Sequence, residues 1–191
     1  MNFSIDDISL TVTCDTGCRL EELEEKLRLR GYTLGYEPFG SKKRTLCQIL
    51  DQAPPNRCAS RYGEIDDICM ALLVESAGGP IQTKKVPRAA TGPDLKKIFI
   101  GSKGRYGKLL EATFRICPLP ERRRIIKIRL ARRGQKETFW LKVLESGMRP
   151  AAIKEKGLLF LFDLRGSSAM VGAEERLLKK IQKTVGESHG S

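Results

Sequence analysis

Apolar residues near the start of the chain first alternate and then recur at helical spacing. Residues 8–14 alternate apolar and polar positions, which is typical of a half-buried strand. Leu20, Leu23 and Leu27 then fall on one face of an amphipathic segment that spans residues 20–30. Gly31 follows and is expected to end that helix. The pattern therefore predicts a strand followed by a surface helix.

The pattern continues with short elements up to Pro118. Ala77-Gly78-Gly79 is compatible with a hairpin turn between two of these elements. The predictions are strands over 33–37, 68–75, 80–85 and 109–116, and helices over 46–52 and 94–100, the first of them stopped by Pro54-Pro55.

The remainder of the chain predicts a separate series of elements. We expect strands over 124–130, 151–156 and 158–164, and helices over 137–145 and 170–185. The order β-α-β-β-α is a partial ferredoxin-like unit. Because strands and helices are mixed without regular βαβ alternation, the fold class is predicted to be α+β. We expect one domain over 1–118, a small α+β cap over 119–186 and a tail over 187–191.

Net charge is +12 and the pI is about 9.6, with an uneven distribution. From Cys117 onward there are 17 Lys and Arg against 8 Asp and Glu, so nine of the twelve net charges fall in this part. Such a field attracts nucleic acid, anionic lipid or an acidic protein, although a solvated basic face needs no partner. Apolar runs are strand-length, and the first residues lack a secretory pattern, so we expect a cytoplasmic protein without membrane insertion.

Six cysteines occur without a CxxC pair, and His189 is the one histidine of the sequence. These residues offer little to a zinc or iron–sulfur site, so no metal site is predicted. Reduced cysteines in or near the core are the expected arrangement.

Three glycines at a spacing of three are the most informative local feature. Gly101, Gly104 and Gly107 separate the predicted helix over 94–100 from the strand over 109–116. A backbone without side chains at these points can turn sharply and lie against a flat or phosphorylated ligand. The simpler interpretation is a connecting turn.

The order of residues around this loop supports a ligand. Asp94-Leu95 precedes it, Gly-Ser-x-Gly-x-x-Gly forms it, and Glu-Ala-Thr-x-Arg-x-x-Pro follows from Glu111. Upstream, Arg61-Tyr62-Gly63 is followed by Asp66-Asp67 and an apolar strand. Over about residues 7–120, this order resembles the FAD-linked oxidases of the vanillyl-alcohol-oxidase type. The length and the cap most resemble the small flavin subunit of glycolate oxidase.

The resemblance implies the second subdomain of a PCMH-type FAD-binding fold, followed by the ferredoxin-like cap. It also implies which positions contact FAD, while no catalytic residue is assigned. The implied cofactor-binding residues are Thr45, Arg61, Tyr62, Gly63, Gly101, Ser102, Gly104, Gly107, Lys108 and Leu109.

The sequence departs from the family pattern in two places. The family's pyrophosphate loop precedes the matched segment, so we expect a chain truncated at its N-terminus with an incomplete FAD site. Cys47 and Gln48 stand where the family has paired glycines, and their side chains are expected to occupy ligand space. The glycine loop in turn gains Lys103, Arg105 and Lys108, which are compatible with a nucleotide phosphate.

Three functional hypotheses follow. The first is an FAD-binding subunit of an FAD-linked oxidoreductase that acts on a 2-hydroxy acid, assembled with a larger flavin oxidase subunit and an iron–sulfur subunit. The second is a non-catalytic structural or regulatory subunit that keeps the scaffold without FAD. The third, a nucleic-acid binder, is disfavoured because the Tyr and Trp residues show no stacking pattern.

Overall fold

The computed structural model describes residues 3–40, 43–83 and 94–187. These residues form two compact units, an N-terminal unit (Met1–Leu119) and a C-terminal unit (Pro120–Ser191). Most of the tail predicted over 187–191 lies outside the described residues, and the last helix reaches Glu187.

An antiparallel five-stranded sheet forms the centre of the N-terminal unit, in the order β1-β2-β6-β4-β5. A short pair, β3 with β7, lies apart from it. The elements of this unit are β1 (Phe3–Asp6), β2 (Thr11–Asp15), α1 (Leu20–Leu29), β3 (Tyr32–Thr33), α2 (Leu46–Gln52), α3 (Ala59–Tyr62), α4 (Ile65–Ile68), β4 (Cys69–Ser76), β5 (Gly79–Gln82), α5 (Lys96–Phe99), β6 (Lys108–Arg115) and β7 (Cys117–Pro118).

The core of this unit consists of apolar helix faces and the central strands. Helix α1 buries Leu20, Leu23 and Leu27, the residues that its periodicity predicted. Helix α2 buries Leu46, Ile49 and Leu50. The strand residues of the same cluster include Val12, Cys14, Leu72, Val74, Ala112 and Phe114. Burial of these side chains fixes α2 in the core, and α2 in turn positions the candidate site.

The C-terminal unit has the β-α-β-β-α order that the sequence predicts. Its elements are β8 (Arg122–Arg129), α6 (Gln135–Glu145), β9 (Ala152–Lys156), β10 (Leu159–Gly166) and α7 (Ser168–Glu187). The sheet order is β8-β10-β9 with both pairs antiparallel. This is the arrangement of a ferredoxin-like unit without its last strand. An aromatic cluster forms the centre of its core: Phe139, Trp140, Phe160 and Phe162.

The α+β prediction is confirmed, and most predicted elements are present within one to three residues of their expected ends. The strand expected over 33–37 is limited to Tyr32–Thr33. The chain turns there because Gly35 has φ +67°, and the amide of Glu37 donates to the Asn56 side chain instead of a neighbouring strand. Residues 84–85 of the strand expected over 80–85 lie outside the described residues.

The six cysteines, all within the described ranges, form no disulfide. Cys14, Cys18, Cys58 and Cys69 are buried, as expected for reduced core thiols. A hydrogen bond with Cys18, together with burial, raises the pKa of the Cys14 thiol, while the same hydrogen bond lowers the pKa of Cys18. Among the described helices, none has the length and apolar character needed to cross a bilayer.

Candidate functional site

The glycine loop (residues 101–107) is anchored to the C-terminal end of α2. The amide of Gly101 donates to the carbonyl oxygen of Leu50 at 2.8 Å, and the amide of Lys103 donates to that of Asp51 at 3.2 Å. These two carbonyls belong to the last turn of the helix, where no helical amide is available to them. The loop therefore satisfies these two carbonyls, and the position of α2 determines where the loop lies.

Gly107 and Gly104, two of the three loop glycines, have different roles. A Cβ on Gly107 would lie 2.6 Å from the carbonyl oxygen of Glu75 and 2.8 Å from a methyl of Val74, so glycine is needed for contact with β4. A register shift between Leu73 and Val74 lies at the same place. A Cβ on Gly104 would meet no atom within 4 Å. Gly104, with φ +74°, is thus the glycine that exposes bare backbone.

Most amides of the loop already have acceptors. Of the seven, five donate to backbone carbonyls, and only those of Gly104 and Tyr106 have no acceptor among the described residues. The side chains of Lys103 and Arg105 are exposed, and so is that of Lys108 after the loop. Two free amides among three cations can bind a phosphate oxygen, as in other anion-binding loops.

The N-terminal end of α2 is closed by internal hydrogen bonds. Thr45 is the N-cap: its hydroxyl accepts from the amide of Gln48 at 3.3 Å, while the Gln48 side-chain oxygen accepts from the amide of Thr45 at 3.1 Å. The amide of Leu46 donates to Cys18, and that of Cys47 donates to Thr16. Gln48 therefore forms a capping box. The first three amides of the helix therefore all donate hydrogen bonds to acceptors within the chain.

An acidic group with a free acceptor lies beside the loop. The Cys47 thiol donates to Asp51 Oδ2 at 3.6 Å, whereas Asp51 Oδ1 is buried and has no hydrogen-bond partner among the described residues. Burial, and then the Asp51 carboxylate, raise the pKa of Cys47, although Lys108 opposes the shift. Cys47 is therefore a neutral thiol at pH 7, while Asp51 Oδ1 is a buried acceptor that the described residues leave unsatisfied.

The Arg61-Tyr62-Gly63 segment has structural contacts of its own. The Tyr62 ring is 7% exposed and lies over Gly35, where a Cβ would be 2.3 Å from Tyr62 Cγ. The backbone carbonyl of Tyr62 accepts from Arg115 at 2.8 Å. Burial raises the pKa of Cys117, and the charges of Arg115 and Arg61 oppose this shift, which places Arg61 on the side of β7.

Asn56 holds this segment in place, a role that the sequence analysis did not assign. Its Nδ2 donates to the carbonyls of Gly35 at 3.2 Å and Gly63 at 2.7 Å. Its Oδ1 accepts from the amides of Glu37 and Cys58 at 2.9 Å and 3.0 Å. A lone asparagine after Pro54-Pro55 was the available signal, but two of its four partners, Gly35 and Glu37, lie about 20 residues earlier in the chain.

One cleft brings the separate segments together. It has a volume of about 420 Å³ and lies between the end of α2, the start of α4 and the end of α5. Glu64, next to Gly63, and Ile100, next to Gly101, both line it. The structure thus places the Arg61-Tyr62-Gly63 segment and the glycine loop near two walls of one cleft. Thr45 lies at the other end of α2, and Leu109 is buried in the core.

The one histidine of the sequence, His189, lies outside the described residues. Within the described residues, no three His, Cys, Asp or Glu side chains form a group that could bind a metal ion. The fit to FAD is partial. Gly104, Tyr106 and the cations suit a diphosphate, whereas Thr45, Gly107 and the first turn of α2 are committed to the fold. The contacts of the ten predicted residues with a cofactor stay a prediction.

No protein-family model matches the chain. Sequence comparison finds alkyldihydroxyacetonephosphate synthase of Caenorhabditis elegans, 34% identical over 121 residues, which are 63% of this chain and 20% of that protein. The uncharacterized FAD-linked oxidoreductase YgcU of Escherichia coli K12 is 32% identical over 61% of this chain and 24% of its own length. Mitochondrial D-2-hydroxyglutarate dehydrogenase of Danio rerio is 31% identical over 61% of this chain and 22% of its length.

A solved structure of alkyldihydroxyacetonephosphate synthase matches the fold with a TM-score of 0.82 at 17% identity. The match covers 95% of this chain and 39% of that chain, and it establishes the fold alone. The chain thus spans about a fifth to a quarter of the curated relatives named above. These relatives confirm the resemblance to FAD-linked oxidoreductases.

Proposed function

We propose that this chain forms one wall of the FAD site of an FAD-linked oxidoreductase acting on a 2-hydroxy acid of the glycolate or lactate type. The exposed backbone at Gly104, flanked by Lys103 and Arg105, is the observation that carries the proposal. The sequence similarity to an FAD-linked oxidoreductase and to a D-2-hydroxyglutarate dehydrogenase supports the cofactor and the substrate class. FAD would supply the electron chemistry.

Particular residues of the wall have particular tasks under this proposal. The amides of Gly104 and Tyr106 donate to the diphosphate, and Lys103 and Arg105 offset its negative charge.

This wall supplies few contacts, because five loop amides and the first three amides of α2 donate within the chain. We therefore propose that the cofactor is shared with a larger flavin oxidase subunit and that an iron–sulfur subunit accepts its electrons. A cytoplasmic location belongs to the same proposal, and the absence of disulfides among the six cysteines supports a reducing compartment.

A second candidate function is a structural or regulatory subunit that keeps the scaffold without FAD. The closed end of α2 favours it, because Cys47 and Gln48 bring side chains and paired amides to a place where the related oxidases are expected to have open glycines.

Titration of the purified full chain with FAD, followed by quenching of flavin fluorescence, tests the proposal. Gly104→Ala adds a methyl group to the face that the ligand approaches, so we expect at least a fivefold loss of affinity. Gly157→Ala is the matched control: Gly157 has φ +64° and, like Gly104, no atom within 4 Å of an added Cβ. Both variants carry a similar backbone cost of about 1 kcal/mol, so a difference in FAD affinity reports the loop.

The outcomes separate the two candidate functions. Equal affinities of the two variants for FAD would remove the loop from the site. Flavin absent from the chain purified as a complex from its own cells, together with no binding of added FAD, would favour the scaffold function.

A further inference from the structure

Strand β8 is an open edge of the three-stranded sheet in the C-terminal unit. It pairs with β10 alone. The amide of Leu130 donates to the carbonyl of Leu158 at 2.9 Å, which fixes the alternation of the ladder. Since residues of an antiparallel strand alternate between bonding to the neighbour and pointing away, the amides and carbonyls of Arg123, Ile125, Lys127 and Arg129 point to the open side.

One end of this edge is already closed within the fold. The carbonyl oxygen of Arg129 accepts a hydrogen bond from Gln182 Nε2 at 2.9 Å. The backbone groups of Arg123, Ile125 and Lys127 have no such partner on the open side among the described residues. Three successive outward positions are therefore available to another strand.

The charges of the β8 side chains determine what kind of strand can pair with this edge. Five of its eight residues are Lys or Arg: Arg122, Arg123, Arg124, Lys127 and Arg129. Arg123 is bound to Asp163 and Arg124 to Glu175, so Arg122, Lys127 and Arg129 retain charge without an ion pair in the described structure. Ile125 between them is 57% exposed, which gives an added strand an apolar contact.

Charge decides between possible occupants. A second copy of this chain would bring the same cations opposite each other, and like charges across a strand pair are destabilising. A strand with alternating carboxylates would instead meet opposite charges while its backbone completes the ladder.

We propose that the open edge of β8 binds an extended acidic segment of a partner protein by strand addition. The partner's backbone pairs with Arg123, Ile125 and Lys127, and its carboxylates meet Lys127 and Arg129, whose side chains share the face of Ile125. This inference does not depend on FAD, because all the residues involved lie in the C-terminal unit.

Two synthetic peptides of equal charge test the mode of binding on the full chain. An eight-residue peptide of alternating Glu and Val can add as a strand, whereas the same peptide with N-methylated Glu residues keeps the charge but cannot donate the hydrogen bonds that face β8. We expect the Glu-Val peptide to bind at least tenfold more tightly. Backbone amides of Ile125 and Lys127 should then exchange with solvent at least tenfold more slowly in its presence.

Variants separate strand addition from charge attraction. Ile125→Pro removes one outward amide but no hydrogen bond to β10, and we expect at least tenfold weaker binding of the Glu-Val peptide. Lys127→Gln with Arg129→Gln should also weaken binding, by at least threefold, because both side chains lie on the face of Ile125. The matched control, Arg176→Gln with Lys180→Gln, removes two exposed charges from α7 and should leave the affinity within twofold.

Should Ile125→Pro fail to fold, the peptide pair and the charge variants still test the proposal. Three results would overturn it. Equal binding of the two peptides would show a charged patch without strand pairing. Unchanged exchange at Ile125 and Lys127 in the presence of bound peptide would show the same. Tighter binding of single-stranded DNA, lost in the Lys127/Arg129 variant, would assign the edge to nucleic acid instead.

Discussion

At the residue scale, two positions fix the segment before α4. The Asn56 side chain makes four hydrogen bonds to backbone groups of three separate stretches, 35–37, 58 and 63, and the Tyr62 ring covers Gly35. These contacts explain why the Arg61-Tyr62-Gly63 motif keeps its shape independently of any ligand. The motif's conformation is a property of the fold, and a cofactor role for it has to be shown separately.

We predict that Gly35→Ala is much more destabilising than Gly31→Ala. Both glycines have positive φ values, +67° and +81°, so both variants lose about 1 kcal/mol through backbone strain. An added Cβ at Gly35 would also overlap the Tyr62 ring at 2.3 Å, while Gly31 has no atom within 4 Å. We expect overpacking to add about 2 kcal/mol at Gly35, measured by urea unfolding. Equal destabilisation of the two variants would mean that the ring does not lie over Gly35.

At the element scale, the sequence predicts helices and strands wherever the apolar period is clear. Helix α2 is found at the predicted residues 46–52, because Leu46, Ile49 and Leu50 recur at helical spacing. Helices α3 and α4 were not predicted, because four-residue helices leave too few positions for a period. The sequence also identifies the glycine loop, but not the partners of its amides, two of which, those of Gly101 and Lys103, donate to carbonyls about 50 residues earlier in the chain.

We predict that Thr45 acts chiefly as the cap of α2. Thr45→Ala removes the hydroxyl that accepts from Gln48 and should cost about 1 kcal/mol in urea unfolding, whereas Thr45→Ser keeps the hydroxyl and should be nearly neutral. FAD affinity should be similar in both variants. A loss of FAD affinity in Thr45→Ala with unchanged stability would instead make Thr45 a cofactor ligand.

We predict that the stability of the C-terminal unit decreases in acid because of Asp163. Burial alone would raise the pKa of Asp163, but hydrogen bonds from Arg165 and Arg123 lower it below its usual value of about 3.9. A lowered folded-state pKa stabilises the unit above the unfolded-state pKa, and this contribution is lost as the pH falls below about 4. Trp140, the one tryptophan of the chain, packs against Phe160 in this unit and reports its unfolding.

The variant that tests this contribution is Asp163→Asn. It should lower the urea midpoint at pH 7, and its difference from the wild type should shrink progressively below about pH 4 as the wild-type carboxylate is protonated. Glu145→Gln, at an exposed carboxylate of the same unit, should leave the midpoint unchanged. A constant difference between Asp163→Asn and the wild type at every pH would contradict the role of the carboxylate.

At the scale of the whole molecule, two units carry two different surfaces. The C-terminal unit holds nine of the twelve net positive charges, and β8 concentrates them at an open edge. The N-terminal unit holds the glycine loop and the cleft of about 420 Å³. The order of motifs in the sequence indicated the FAD-linked oxidoreductases. The sequence could not show that only two loop amides lack an acceptor among the described residues, because this depends on which amides donate to carbonyls within the fold.

The most direct test of the FAD proposal is amide NMR of the ¹⁵N-labelled full chain titrated with FAD. We predict that the resonances of Gly104 and Tyr106 shift the most, because these two loop amides lack an acceptor in the described structure. The amides of Leu46, Cys47 and Gln48 should stay unchanged, since each donates within the chain. Saturating FAD that leaves residues 101–107 unperturbed, or that shifts resonances only in other parts of the chain, would contradict a nucleotide wall at the glycine loop.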